Sequence, residues 1–229
     1  MTLIDISGPI STGMWHYGQP YLDLPVPPVR IEQIDFPEPF RGALIMDYLQ
    51  MASQTGTYME TARHVDAARD PIDRVPLERA WMIPTVVAHT PKAPREKVTL
   101  DDVTRSLDEQ GVAIEPGDAV LIHTGWDREW AHPARYLTDM PYVSRDVVYW
   151  LIDQRIGIWG ADTPRADSPD DPQGFFPDFF ATDILLLAPL VRLEQVTRAA
   201  PKPRLVALPL KLDGACASPV RAVLVTDAG

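Results

Sequence analysis

Twenty-four prolines in a chain of 229 residues leave much of this sequence to stiff, non-helical connections. Proline fixes φ and lacks the N–H that a helix interior or a central strand needs. The prolines gather at residues 20–28, 37–39, 91–94 and 164–177. Tyr21, Leu22, Phe36, Phe40, Phe175 and Phe176 flank these clusters, so the loops have apolar side chains to bury. Long ordered loops over a packed core commonly shape a binding pocket. Residues 11–28 carry Trp15, His16, Tyr17 and Tyr21 among glycines and prolines, and are expected to form a pocket rim or a subunit arm. His16 reads as a solvated loop histidine.

Between the proline clusters the pattern is mixed α/β. Residues 3–7 (LIDIS) form a short strand stopped by Gly8-Pro9. Residues 29–36 alternate apolar and polar with period two, which predicts a half-buried strand, and residues 43–51 a second. The β-branched run at 85–90 makes His89 a core or strand-end histidine. Residues 119–124 (AVLIHT) are continuously apolar, as in strands covered on both faces. Residues 204–210 and 219–226, separated by the turn Asp213-Gly214, complete the strand set. Thr99 and Asp102 have capping-box spacing before a helix whose apolar face is Val103 and Leu107 and whose stop is Gly111. Ser144 caps another, with Val147, Val148, Leu151 and Ile152 in one stripe. A further helix is expected to include residues 179–187. Residues 65–84 read as an irregular, mixed-charge surface. No linker divides the chain, so one domain is expected over residues 1–229.

A net charge of -11 argues against a nucleic-acid partner. No apolar run reaches the roughly 20 residues that span a bilayer, and no basic-then-apolar leader opens the chain, so a soluble cytoplasmic protein without a membrane partner is expected. Cys216 is the only cysteine, which excludes an internal disulfide and a thiolate metal cluster. A lone thiol could be a nucleophile. Between Ala215 and Ala217 it reads as a small packing residue.

The chemistry is expected in residues 53–64, where Gly56 sits between two threonines and Tyr58, Glu60 and His64 follow within seven residues. In extended chain these three side chains point the same way. A phenol, a carboxylate and an imidazole are the usual material of acid–base catalysis.

Over nearly its whole length the sequence resembles the cyclase family that includes bacterial kynurenine formamidases and isatin hydrolases. Those proteins carry H-x-G-T-H-x-D-x-P-x-H, against Gln54-x-Gly56-Thr57-Tyr58-x-Glu60-x-Ala62-x-His64 here. Further matches are the opening LIDIS, residues 117–126 (GDAVLIHTGW), residues 160–164 (GADTP), and LPLK at 208–211 followed by SPVRA at 218–222. The resemblance implies a swivelling β/β/α-type domain with a mixed, partly barrel-like central sheet flanked by helices, assembled as homodimers or homotetramers. It also implies metal-assisted amide hydrolysis, in which the first two His and the Asp of the motif bind metal, the last His is the acid–base catalyst, and a later His and Glu complete the metal site.

The departures fall on the metal donors. Gln54 and Tyr58 replace the histidines, Glu60 the aspartate, and Ala188 stands at the later Glu position; no histidine occurs near residues 175–178. Glutamine and neutral tyrosine are poor ligands, since a phenol must lose a proton of pKa about 10. Glu60 and His64 make two donors, to which Asp178 or Asp183 could add one. The expectation is an enzyme with neither metal nor other cofactor, with His64 as acid–base catalyst, Glu60 and Tyr58 assisting, and Gln54 contacting substrate. Trp15, Tyr17, Tyr21, Phe175 and Phe176 are the expected pocket lining. Such a set suits cyclisation, isomerisation, dehydration or ring opening of a small aromatic or polyketide-like carbonyl compound. A metal-dependent amidohydrolase with a rearranged site and a non-catalytic small-molecule binder are the alternatives.

Overall fold

The continuous apolar run forms the middle of the molecule. In the computed structural model, which describes residues 1–196 and 202–226, Ala119–His123 lies in a nine-stranded sheet with parallel neighbours on both sides. Ala119, Val120, Leu121 and Ile122 are fully buried, so both faces of this strand are covered.

In chain order the elements begin with β1 (Thr2–Asp5), β2 (Arg30–Gln33), β3 (Asp47–Gln50), β4 (Tyr58–Glu60), β5 (Trp81–His89) and β6 (Lys97–Val98). Helix α1 (Leu100–Gln110) precedes β7 (Ala119–His123); α2 (Pro133–Thr138), β8 (Tyr142–Val143) and α3 (Arg145–Asp153) follow. Then come β9 (Ile158–Ala161), α4 (Phe176–Ala181), β10 (Leu185–Ala188), β11 (Arg204–Val206), β12 (Ala217–Pro219) and β13 (Val223–Thr226). The large sheet has the order β1-β13-β11-β5-β7-β9-β10-β4-β12, with β5, β7, β9 and β10 parallel and the outer pairs antiparallel. Just past β1, Ser7 bridges to Leu190 beyond β10 and Gly8 N–H donates to Thr57 Oγ1, so the sheet curls until its first strand reaches the far end. This is the mixed, partly barrel-like sheet expected, with termini-proximal strands sharing it.

Period-two alternation sends the two faces of the sheet into two cores. Val86, Val120, Ile122, Trp159 and Leu186 meet Val103, Leu107, Val147, Leu151, Phe179 and Phe180 of the helices. Val87, Leu121, Ile158, Leu187 and Met59 pack inside the curl with Ile6, Leu205 and Leu224. Each fully buried aliphatic side chain contributes about 1.5–3 kcal/mol. Helix α1 starts and stops as its sequence requires: Thr99 N–H donates to Asp102 at 2.8 Å, Asp102 N–H to Thr99 Oγ1 at 3.3 Å, and Gly111 takes the left-handed φ of 65°.

Several expectations are corrected. Residues 29–36 are not half-buried: Arg30–Gln33 is exposed throughout and pairs only with β3, itself shortened to Asp47–Gln50. The alternation there belongs to a projecting hairpin that leaves Leu44, Ile45, Met46, Tyr48 and Leu49 in solvent. Residues 179–187 are not one helix. Helix α4 ends at Ala181, and Leu185–Ala188 is a strand paired with β9 and β4, since an apolar run covered on both faces has no period to distinguish helix from strand. Within 65–84, β5 already begins at Trp81. Ser144 holds the N-cap position of α3, but its hydroxyl does not bond to the helix. His16 is buried, its Nδ1 accepting from Gly18 N–H at 3.1 Å. His89 does end β5, 3.0 Å from His123. No helix among the described residues is long and apolar enough to cross a membrane.

Candidate functional site

Strand β4 is three residues long, buried, and held between β10 and β12. Alternation points Met59 into the inner core and turns Tyr58 and Glu60 together to the opposite face, into a cavity of about 580 Å³. The approach to β4 is fixed by Gly56, whose φ of 63° is open to glycine and where a Cβ would lie 2.6 Å from Ile10. Thr57 donates to Pro189 O at 2.6 Å and accepts from Gly8 N–H at 3.0 Å, tying the motif to the strand ends around it. After Glu60 the extended chain stops. Thr61 Oγ1 accepts from Arg63 N–H, and Ala62–His64 makes a 3-10 turn. His64 therefore faces Glu60 through a turn, and not through the strand alternation anticipated from sequence.

Glu60 Oε1 lies 3.1 Å from His64 Nδ1. Burial pushes the Glu60 carboxyl up to about 7, with the Gln54 hydrogen bond pulling the other way. Burial also holds His64 below its ordinary value. Both shifts favour the uncharged pair, a carboxylic acid against an imidazole, over an ion pair. Glu60 is almost wholly buried, whereas the His64 side chain is 46% exposed and connects the pair to solvent. Gln54 Nε2 donates to Glu60 Oε1 at 3.0 Å and lies 3.4 Å from Cys216 Sγ and 3.5 Å from His64 Nδ1. Tyr17 O–H donates to Pro164 O at 2.6 Å, so the 3.3 Å contact between the two phenols is donated by Tyr58. Burial raises both phenols well above their usual range, keeping them neutral donors.

Of the sequence candidates, Tyr17, Gln54, Tyr58, Glu60, His64 and Phe176 line this one cavity. Trp15, Tyr21 and Phe175 do not. Trp15 is buried against Trp130 and Tyr136, Phe175 is buried beside Trp159, and Tyr21 packs edge-on to His16. Aromatic character marked these loops correctly, but most of it serves to anchor them. Trp159 and Arg165 line the cavity without having been singled out. Cys216, expected as packing, is half-buried with its Sγ 3.4 Å from Gln54 Nε2, brought there because β12 pairs Ala217 with Glu60. No local signal shows a strand pairing between residues so far apart. Asp162, fully buried, accepts from Thr124 N–H and hydroxyl, Gly125 N–H and Trp126 N–H. Burial pushes it up to about 6 against these donors, and it locks the turn after β7 onto the end of β9.

The metal that the resemblance implies does not fit its usual donors here. At position 54 an amide N–H₂ faces Glu60, and at 58 a neutral phenol turns to Tyr17, leaving Glu60 alone. Asp178 and Asp183 bring nothing, being engaged on the surface with Tyr149 and Arg69. A different trio does converge: donor atoms of Glu60, His64 and Cys216 all lie within 4.8 Å of one another. Gln54 Nε2 lies over them, 3.0–3.5 Å from each.

The Cyclase family model matches residues 4–168. A kynurenine formamidase from Salinibacter ruber is 29% identical over 185 residues, 77% of each chain. An isatin hydrolase bound to the product analogue thioisatinate superposes with a TM-score of 0.84 at 22% identity, over 99% of this chain and 92% of that one. A potential metal-dependent hydrolase with cyclase activity superposes at 0.72 and 23% identity, over 97% and 96%. The chain shares the fold of these structures, and by its sequence it belongs to the cyclase family.

Proposed function

We propose that this chain is a metal-independent cyclase-family enzyme that moves protons on a small aromatic or polyketide-like carbonyl compound. The reading rests above all on the Glu60–His64 contact of 3.1 Å at the cavity wall, with the carboxyl poised near neutrality. A group titrating near the working pH is the most effective acid or base. In its ionised form Glu60 takes a proton from the carbon beside the substrate carbonyl, His64 relays protons to and from solvent, and Tyr58 turns its O–H from Tyr17 to the oxygen on which negative charge develops. Returning the proton to a departing hydroxyl completes a dehydration; returning it to another carbon, an isomerisation; to the attacked carbonyl oxygen after ring closure, a cyclisation. Trp159 and Phe176 supply apolar walls for ring faces. Homodimers or homotetramers formed through the exposed 30–50 hairpin, in the cytoplasm, complete the proposal.

A second reading, a metal-dependent hydrolase, draws on the convergence of Glu60, His64 and Cys216. The test uses metal-stripped protein and a panel of N-formyl aryl amides, cyclic aryl amides and aromatic β-ketones. Turnover that survives chelator and is lost in Glu60→Gln and His64→Ala supports the first reading. Turnover abolished by chelator and restored by Zn²⁺ or Mn²⁺ refutes it.

A further inference from the structure

One face of the Glu60–His64–Cys216 triangle is capped by the protein itself. Gln54 Nε2 sits 3.0 Å from Glu60 Oε1, 3.4 Å from Cys216 Sγ and 3.5 Å from His64 Nδ1. Its orientation follows from its partners, because Ser53 Oγ donates to Gln54 Oε1 at 2.8 Å. The opposite orientation would set the amide oxygen against Glu60 Oε1, which repels whenever Glu60 is ionised. A carboxylate, an imidazole nitrogen and a sulfur around one point, beside an open cavity, have the chemistry and number of protein donors of a catalytic zinc-class site. The amide does on a smaller scale what a cation does there. It presents N–H edges to Glu60 Oε1 and Cys216 Sγ and lies 3.5 Å from His64 Nδ1, which is engaged with Glu60.

We infer that Gln54 is a built-in stand-in for a divalent cation: its amide holds Glu60, His64 and Cys216 together and keeps zinc-class metals out, and removing it turns the trio into a metal site. The inference rests on the metal-independent reading above. It gives Cys216 a definite place, as a potential donor satisfied by an amide. The neutral stand-in leaves the Glu60 proton free to move.

The experiment measures binding of Co²⁺ and Zn²⁺ alone to metal-stripped wild type, Gln54→Ala and Gln54→Ser, each also combined with Cys216→Ser. Circular dichroism checks that each variant is folded, and the two truncations cover the failure of either. The expected result is Co²⁺ binding at least tenfold tighter in the Gln54 variants than in wild type, a difference of about 1.4 kcal/mol. A thiolate-to-cobalt charge-transfer band should accompany it and vanish with Cys216→Ser. Wild type binding as tightly as the variants, or variants binding no more tightly than wild type, overturns the inference. These readouts need no substrate. If wild type takes up metal while its turnover resists chelator, the inference fails and the functional reading stands. If wild type excludes metal but turnover does not depend on Glu60 and His64, the reverse holds.

Discussion

A buried acid that titrates near neutrality is bought with stability, and Glu60→Gln should return it. Glu60 ionises at about 7 in the folded protein against an ordinary 4.5. At about 1.4 kcal/mol per pH unit, the gap corresponds to about 3 kcal/mol of preference for the protonated form in the folded state. The sign follows from proton counting. Between these two values the folded protein holds a proton that the unfolded chain has released, so raising the pH removes stability. The contribution is fully present below about 4.5 and gone above about 7. Glutamine has the same shape, never ionises, and can still accept from Gln54 Nε2. Urea unfolding of wild type and Glu60→Gln from pH 4 to 8 should show little difference at the acid end. The variant should gain about 3 kcal/mol, or somewhat less, by the alkaline end. Titrating groups away from Glu60 cancel in the difference, whereas His64, 3.1 Å from it, adds its own response. A gain independent of pH, or a variant less stable than wild type at pH 8, would refute the argument that burial sets the Glu60 ionisation.

The remaining predictions concern neighbours of this pair. His64→Ala should lower kcat by about 10²–10⁴-fold on any compound that the enzyme turns over, with little change in melting temperature because the side chain is half exposed. The pH–rate profile of wild type should show an inflection near 7, which rate measurements from pH 5 to 9 would reveal. Tyr17→Phe strips Pro164 O of its donor and Tyr58 of its acceptor, and should cost about 1–3 kcal/mol in denaturant unfolding. Gly56→Ala forces a methyl to within 2.6 Å of Ile10 at a left-handed φ, so a loss above about 1 kcal/mol is expected by the same measurement.

What the sequence revealed and what it hid divide by the range of the interaction responsible. The β7 strand and the α1 cap were legible because local composition decides them: an apolar run too uniform to face water, and Thr99 three residues from Asp102. The 54–64 motif was legible because Tyr58, Glu60 and His64 fall within seven residues and their spacing resembles the family's motif. The 185–188 strand was misread because burial on both faces erases its period. The 30–33 strand kept a period that no core rewards. Cys216 was missed since only the pairing of β12 with β4 brings it to Glu60. Trp15 and Phe175 resembled Tyr17 and Phe176 in composition, and tertiary packing alone separates loop anchors from cavity walls.

The account turns on whether Glu60 is a mobile-proton acid with no metal on it. Carbon-13 NMR titration of its side-chain carboxyl, assigned through Glu60→Gln, measures this directly in metal-stripped protein and again with Zn²⁺ added. The account predicts a midpoint of about 7 that Zn²⁺ leaves in place. A midpoint at or below the ordinary 4.5, or one that Zn²⁺ drives downward, would contradict it.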